Sequence, residues 1–342
     1  MDRNCYYSYY LMEISPLKDN RALVSTCFSN TFRPENRLTI EKDIKDTWNS
    51  RQFQFQRKLL LRKDWSFCLG SDCFTGPSDE TIKRLVNEEE VKNAIAEGKT
   101  RLNYLPKMII MAISFACNNN CYFCNNPKKT PRKEFKVTQL GDNLLKEIKE
   151  EIIPFVEQVT LTGGETFLAN PEFIDWFISH HQEKILTVVT NGTLLHRFGL
   201  EKIIQHHIGL IISFYAMNKK TYREVTGTNN FAAMFDNTNE LMRLGYKHMR
   251  LVFTLCRRSI ADLDEFCQFV LKNRDNIREA IVQNDCFEGE ESHRQMRKLE
   301  FKYSPLFPDN KLIFKYRNQG VLHRVIRRFY NPCYSLRYFL GR

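Results

Sequence analysis

The sequence lacks any apolar run long enough to span a lipid bilayer, and its first residues, from Met1 to Cys5, contain no apolar signal core. Both absences argue against a membrane protein and against an exported one, so we expect a cytoplasmic location and no membrane partner. Internal repeats and low-complexity segments are also absent. A length of 342 residues is enough for one large domain and a smaller one.

The charge is unbalanced, with a formal net charge of +11. Such a surplus attracts polyanions, which include nucleic acid, acidic peptides and phosphate-rich substrates. A solvated basic surface explains the same surplus, and we prefer that interpretation, so nucleic acid is not an expected partner on charge alone. Eleven cysteines in a chain without an export signal indicate reduced thiols and metal ligands rather than a disulfide framework.

Three of these cysteines, Cys117, Cys121 and Cys124, follow the apolar run from Met108 to Ile113 in a C-x3-C-x2-C pattern. They present three thiolates from one short loop. A closed structural zinc site needs four protein ligands and a [4Fe-4S] cluster has four irons, so the loop either recruits a distant fourth ligand or leaves one position open. Zinc binding and inert packing are the alternatives, but neither explains the Gly-Gly-Glu sequence at 163–165, which ends a second strand-like run.

The cysteine loop and Gly-Gly-Glu together resemble the radical S-adenosylmethionine (radical SAM) family. In that family three cysteines hold a [4Fe-4S] cluster, and SAM chelates its fourth iron through its amino and carboxylate groups. The resemblance implies reductive cleavage of SAM to methionine and a 5'-deoxyadenosyl radical, which abstracts hydrogen from a substrate, with an electron donor such as flavodoxin or ferredoxin. It implies iron ligands at Cys117, Cys121 and Cys124, contacts with the SAM amino group at Gly163, Gly164 and Glu165, and an adenine contact at Phe123.

Two weaker matches lie further along the chain. Asn191 lies in a Thr-Asn-Gly sequence similar to the family's turn near the SAM ribose and carboxylate, although Asn-Gly alone is an ordinary turn. Ser213 keeps its place as a ribose contact in a stretch that many members write as Ser-x-Asp-Gly with a later Arg-Gly. Tyr215, Ala216 and Thr226 replace the Asp, Gly and Arg of that stretch. We expect Tyr215 to pack, with a substrate contact or a radical relay as alternatives.

The hydrophobic pattern after Pro106 alternates between strand and helix. Apolar residues from Leu144 to Ile152 and from Leu263 to Val270 repeat at the spacing of amphipathic helices. This alternation predicts an α/β fold with a parallel sheet. The number of predicted strands, six, matches the family's open (β/α)6 partial TIM-type barrel. In such a barrel the site lies at the carboxyl ends of the strands. The six predicted strands are Lys107 to Phe115, Gln158 to Leu161, Lys184 to Val189, Gly209 to Phe214, Met249 to Leu255 and Ala280 to Gln283.

The first residues of the chain contain a predicted β-hairpin, from Tyr9 to Ile14 and from Ala22 to Cys27, and a predicted helix from Ile44 to Arg57 with an Ile-x-x-x-Trp-Asn-Ser pattern. With the surrounding cysteines this order resembles the SPASM/Twitch auxiliary domain, placed here before the barrel rather than after it. The resemblance implies a small α+β iron-sulfur domain with an auxiliary [4Fe-4S] cluster. Zinc remains the alternative for its ligands, which are Cys5, Cys27, Cys68 and Cys73.

We therefore predict an auxiliary domain at 1–76, a helical linker at 77–105, the radical SAM barrel at 106–285 and an extension at 286–342. Relatives with auxiliary domains commonly modify peptides, so a peptide is the leading substrate. The alternatives are a sugar or another small molecule, an RNA, or a non-catalytic iron-sulfur protein that transfers electrons or binds a partner. No side chain is assigned to the hydrogen abstraction itself.

Overall fold

The computed structural model divides into two compact units. The first comprises Met1–Phe115, Asn126–Gly163 and Gln319–Arg342, and the second comprises Ala116–Asn125 and Gly164–Asn318. Within the described residues, no helix is both long enough and apolar enough to cross a membrane. The structure describes residues 6–17, 20–26, 37–40, 42–64, 84–124, 139–169, 171–180, 184–284, 290–309 and 311–315.

The first unit contains five strands in the order β3-β2-β1-β4-β5. The pairs β1–β2 and β2–β3 are antiparallel, whereas β1–β4 and β4–β5 are parallel. The predicted hairpin is confirmed as β1 and β2, and β1 joins it to the sheet. These strands are β1 (Leu11–Pro16), β2 (Ala22–Ser25), β3 (Arg37–Ile40), β4 (Met108–Ser114) and β5 (Gln158–Gly163).

Strand β4 lies between β1 and β5, and all seven of its residues are buried. A run that is apolar at nearly every position is typical of a parallel strand covered on both faces. The helices of the unit are α1 (Tyr7–Tyr10), α2 (Ile44–Thr47), α3 (Arg51–Leu61), α4 (Glu89–Ala96) and α5 (Asp142–Glu147), the last extended by a π-helical turn (Ile148–Ile152) and a 3-10 turn (Ile153–Phe155).

The single helix predicted from Ile44 to Arg57 is wrong, because the chain forms two helices there. The first helix ends at Thr47, and Ser50 caps the second, since its hydroxyl accepts a hydrogen bond from the Phe53 N–H at 3.3 Å. Serine is among the preferred N-cap residues because its side chain satisfies an N–H that has no partner within the helix.

The Trp-Asn-Ser pattern and the arginine that follows it attach these helices to residues 100–104. The Trp48 indole N–H donates to the Tyr104 carbonyl at 2.8 Å, and the Asn49 amide donates to the Leu102 carbonyl at 2.7 Å. Arg57 is fully buried, and its guanidinium lies 4.5 Å from the Trp48 ring centroid.

Backbone carbonyls surround the Arg57 guanidinium. It donates to the carbonyl oxygens of Ser8, Trp48 and Thr100 at 2.7, 2.8 and 2.9 Å. Burial lowers the pKa of Arg57 to about 10. A buried cation without such acceptors is strongly unfavourable, so these carbonyls are what allow Arg57 to be buried.

The second unit contains five strands in sequence order, and the four adjacent pairs among them are parallel. The strands are β6 (Ile185–Thr190), β7 (Gly209–Phe214), β8 (Met249–Leu255), β9 (Glu279–Asn284) and β10 (Leu312–Lys315). The helices are α6 (Pro171–His180), α7 (Leu195–Phe198), α8 (Leu200–Gln205), α9 (Lys219–Thr226), α10 (Phe231–Arg243), α11 (Leu263–Lys272) and α12 (Glu290–Tyr303).

All six predicted strands are present as β4 to β9, with β7 and β8 at their predicted bounds. The α/β fold with mostly parallel strands is therefore confirmed. Strand β10 was not predicted, and it lies with α12 in the stretch that we expected to be an extension. The domain boundaries at residues 76, 105 and 285 stay predictions.

Candidate functional site

The cysteine loop is attached to the carboxyl end of α9, within the second unit. The Asn120 N–H donates to the Thr226 carbonyl at 2.7 Å, and the Tyr122 N–H donates to the Val225 carbonyl at 3.0 Å. The last carbonyls of a helix have no partner inside it, so the loop supplies the missing donors. The helix ends at Gly227, whose φ of +67° is the left-handed conformation typical of a glycine at this position.

The three cysteines are placed differently with respect to solvent. Cys121 is buried, Cys117 and Cys124 are partly exposed, and none of them forms a disulfide. The Asn119 N–H points at the Cys117 sulfur at 3.4 Å, and the Asn191 amide nitrogen lies 3.9 Å from the same sulfur. Hydrogen bonds to sulfur are among the features that set the potential of an iron-sulfur cluster.

A [4Fe-4S] cluster fits this thiol set. In the described part of the chain, no three His, Cys, Asp or Glu side chains converge on one metal-ion position. A cuboidal cluster binds each thiolate through a different iron and requires no such convergence, whereas a zinc ion does. Three thiols on one loop, with polar donors at one sulfur, are therefore compatible with the cluster.

Asn191 follows β6 and contacts the cysteine loop, and its predicted contact with SAM stays a prediction. Its amide donates to the Asn118 side-chain oxygen at 2.8 Å, and the Asn118 amide donates to the Thr193 hydroxyl at 2.7 Å. The Asn191 side-chain oxygen accepts from the Thr193 N–H at 3.0 Å. Our sequence analysis missed Asn118 and Thr193, although the three asparagines between the first two cysteines were a signal. The structure thus joins the Asn-Gly turn directly to the loop.

Glu165 is fully buried, and both oxygens of its carboxylate accept hydrogen bonds. One oxygen accepts from the Thr190 hydroxyl at 2.7 Å and from the Phe167 N–H at 3.2 Å, and the other accepts from the Asn191 N–H at 2.7 Å. The backbone N–H of Glu165 donates to the Ala116 carbonyl at 2.7 Å. Burial raises the pKa of Glu165, and the three hydrogen bonds oppose that shift. Glu165 therefore connects the start of the cysteine loop to the turn after β6.

Two glycines, Gly163 and Gly164, precede Glu165. At Gly163, with φ at +131°, a Cβ atom would lie 2.2 Å from the Ser114 carbonyl oxygen, so only glycine fits there. Gly164 follows β5 directly. Contact of Gly163, Gly164 and Glu165 with the SAM amino group stays a prediction.

Aromatic rings pack together at the cysteine loop. The Phe123 and Tyr215 ring centroids are 5.7 Å apart, and Ser213 is in β7, two residues before Tyr215. Burial of the Tyr215 hydroxyl and the nearby charges of Cys121 and Cys124 raise the pKa of Tyr215 well above its usual value. Tyr215 therefore packs against the loop that carries the predicted adenine contact. The SAM contacts of Phe123 and Ser213 stay predictions.

Two further residues that our sequence analysis missed hold α9 in place. Asn119 is buried and donates to the Tyr222 hydroxyl at 3.0 Å, so it ties the loop to the helix. Asp262 is buried and accepts from the Met217 N–H at 2.7 Å and from the Asn218 amide at 3.0 Å. Asn218 is the N-cap of α9. Buried polar side chains thus hold the amino-terminal end and the middle of this helix.

The four cysteines predicted to hold the auxiliary cluster lie outside the described residues, so their assignment stays a prediction. They are Cys5, Cys27, Cys68 and Cys73.

Comparison with known proteins finds similarity over part of this sequence. Residues 111–270 match the model of the Radical SAM superfamily. The chain is 25% identical over 182 residues to the GTP 3',8-cyclase of Alkaliphilus oremlandii and 24% identical over 174 residues to the probable GTP 3',8-cyclase of Sulfolobus acidocaldarius. These alignments cover 52% and 46% of this chain, and 55% and 50% of the relatives. The chain thus spans about half the length of the curated relatives it matches.

The fold of this chain is similar to that of a solved structure. The crystal structure of Streptococcus suis SuiB bound to precursor peptide SuiA matches with a TM-score of 0.50 at 15% identity, covering 86% of this chain and 69% of that one. This likeness supports the α/β fold with a mostly parallel sheet that the sequence predicts.

Proposed function

We propose, for a chain whose residues 111–270 belong to the radical SAM superfamily, that the protein is an enzyme that reductively cleaves SAM and abstracts hydrogen from a substrate. The observation that carries this proposal is the direct link between the cysteine loop and the turn after β6, through Asn118 and Asn191. Cys117, Cys121 and Cys124 would hold the [4Fe-4S] cluster. When bound, the cluster supplies the electron for SAM cleavage, and the protein supplies position and a dry site.

In this proposal the side chains around the cysteine loop have separate roles. Glu165 and Asn191 fix the turn after β6 against the loop, so that the polar groups facing SAM are ordered before it binds. Phe123 and Tyr215 provide an apolar surface beside the cysteines, which excludes water. Preorganised groups of this kind avoid the cost of ordering them during the reaction.

Replacing Asn191 with Ala tests this arrangement. The change leaves the Asn118 oxygen and the Thr193 N–H without their Asn191 partners, so we expect SAM to bind more weakly by about 1 to 3 kcal/mol. Iron content should stay the same, because no cysteine changes. Isothermal titration of SAM into the reconstituted protein measures this effect. Asn273→Ala is the control, since the Asn273 amide donates only to the Phe269 carbonyl of α11. Equal SAM affinity in the two variants would contradict the role given to Asn191.

The substrate has two candidates. The sequence likeness to GTP 3',8-cyclases favours a purine nucleotide, whereas the peptide predicted from the sequence gains no support from these relatives. We expect GTP to accelerate the formation of 5'-deoxyadenosine by the reduced protein and to be consumed with it, as measured by liquid chromatography and mass spectrometry. ATP, another purine nucleoside triphosphate, serves as the control for GTP. If neither nucleotide changes the rate, the GTP proposal fails and a peptide is tested next.

We also propose the auxiliary [4Fe-4S] cluster, at Cys5, Cys27, Cys68 and Cys73. The support is the resemblance of the cysteine order to a SPASM/Twitch domain. Anaerobic reconstitution should load about eight irons per chain with both clusters and about four with one. We expect the four-cysteine Ala variant to fall from about eight irons to about four, as measured by colorimetric iron assay. A wild-type value near four would remove the auxiliary cluster from the proposal.

A cytoplasmic location is part of the same proposal. Its support is the content of eleven cysteines, which a reducing compartment keeps as thiols.

A further inference from the structure

A basic groove of about 800 Å³ lies beside α9, outside the cysteine loop. Four of its lining side chains are cations, and one is a carboxylate, Glu224. Lys219, Lys220 and Arg223 lie on the exposed face of α9, and Arg258 comes from the segment after β8. The groove is built entirely from residues of the second unit.

Some cations on the described surface are paired with carboxylates and others are not. Lys202, Arg243, Arg250 and Lys302, for example, each form an ion pair with a carboxylate. Among the described residues, the side chains of Lys219, Lys220 and Arg223 have no carboxylate partner within ion-pair distance. Their charge is therefore not neutralised locally, and it attracts an anionic partner.

The groove contacts the cysteine loop at two points. The Arg258 guanidinium lies 4.3 Å from the ring centroid of Tyr122, the residue after Cys121, and it also donates to the Glu224 carbonyl at 2.5 Å. Gly227, which lines the groove, lies against Asn120, because a Cβ atom there would be 3.5 Å from the Asn120 backbone oxygen. A partner in the groove would thus be separated from the cysteines by one layer of loop residues.

We propose that this groove, formed by Lys219, Lys220, Arg223 and Arg258, is the docking surface for an acidic electron-transfer protein that reduces the enzyme. This inference rests on the proposed function, since only a redox-active loop requires an electron from outside. Electron-transfer complexes are small and transient, and opposite charges bring the partners together quickly. The location fits because Arg258 of the groove lies against Tyr122, next to Cys121 in the loop.

The transfer is a one-electron step. The reduced flavin of a flavodoxin loses one electron and the protein gains it, and no covalent bond forms between the partners. Dithionite, a small reductant, needs no docking surface. The two reductants therefore separate docking from the chemistry that follows.

The test uses the triple variant Lys219→Glu, Lys220→Glu, Arg223→Glu in the full, reconstituted chain. Its probe is a flavodoxin of negative net charge. We expect the affinity for oxidised flavodoxin, measured by titration calorimetry at low salt, to fall about tenfold or more, and the rate of flavin oxidation in stopped flow to fall similarly. Raising the salt concentration should weaken flavodoxin binding to the wild-type chain, so that the affinities of the wild-type chain and the variant become more similar. SAM cleavage with dithionite should stay at the wild-type rate.

A control variant changes the net charge by the same amount elsewhere. Lys247, Lys272 and Arg278 are exposed and lie near the opposite, amino-terminal ends of β8 and β9. Their replacement with Glu should change flavodoxin affinity by less than about twofold, because charges beyond a Debye length are screened.

Equal flavodoxin binding by the α9 variant and the wild-type chain would overturn the proposal. It would also be overturned if a single-stranded RNA bound the wild-type groove more tightly than flavodoxin and lost its affinity in the α9 variant, since the groove would then be a nucleic-acid site. Failure of the wild-type chain to cleave SAM with dithionite would refute the proposed function, and the calorimetry would still decide the docking question.

Discussion

The triple variant Cys117→Ala, Cys121→Ala, Cys124→Ala is expected to lose about four irons per chain and all SAM cleavage. Alanine cannot bind iron, and the three thiols lie on one loop, so no thiol of that loop remains to hold a cluster. The loop backbone should survive, because its attachment to α9 uses backbone N–H groups and carbonyls. Iron assay and product analysis on the anaerobically reconstituted variant measure both effects.

A matched control is Cys267→Ala. Cys267 lies in α11 of the same unit, away from the C-x3-C-x2-C sequence, and burial raises its pKa to about 12. We expect wild-type iron content and SAM cleavage in this variant. Retained SAM cleavage in the loop variant would contradict the assignment of its three cysteines.

The second large effect concerns stability, at Arg57. Arg57→Met keeps a long apolar side chain but removes every donor, so the carbonyls of Ser8, Trp48 and Thr100 lose their hydrogen bonds from Arg57. We expect the free energy of unfolding of the first unit to fall by about 3 to 5 kcal/mol, the range for breaking a buried charged network. Urea unfolding, followed by circular dichroism and tryptophan fluorescence, measures the change.

Arg62→Met is the control for Arg57. Arg62 immediately follows the same helix, α3, but is exposed, so its replacement should change stability by less than about 0.5 kcal/mol. Similar unfolding midpoints for the two variants would show that the buried hydrogen bonds of Arg57 contribute little to the first unit.

The strands were the most predictable part of the fold. Strands β7 and β8 contain β-branched and aromatic residues, so local pattern defines them. Strand β10 has four residues, and it is a strand because it pairs with β9. Pairing with a distant segment leaves little trace in a pattern this short. The parallel pairing of β1 with β4 was missed for the same reason.

The sequence motifs selected segments that lie together in the structure, but they did not predict the contacts between them. The motifs identified Cys117, Glu165 and Asn191, and the structure joins their segments. Glu165 was predicted to contact the SAM amino group, and the motif gave no sign that its carboxylate accepts hydrogen bonds from the turn after β6. Such partners depend on how separate strands end beside one another, which sequence spacing does not specify.

The Trp-Asn-Ser pattern illustrates the limit of motif interpretation. It contributed to the resemblance to an auxiliary cluster domain, yet Trp48, Asn49 and Arg57 also have a structural task, since their hydrogen bonds fasten two helices to residues 100–104. The pattern therefore supports the helix arrangement independently of any cluster. The auxiliary cluster depends on the iron count described above.

The most direct test of the central proposal is SAM cleavage by the wild-type chain. Anaerobically reconstituted protein is reduced with dithionite and incubated with SAM, and methionine and 5'-deoxyadenosine are quantified by liquid chromatography and mass spectrometry. We predict that both products form in equal amounts and that neither forms in the triple cysteine variant. Protein that is fully loaded with iron but yields no 5'-deoxyadenosine would contradict the proposal.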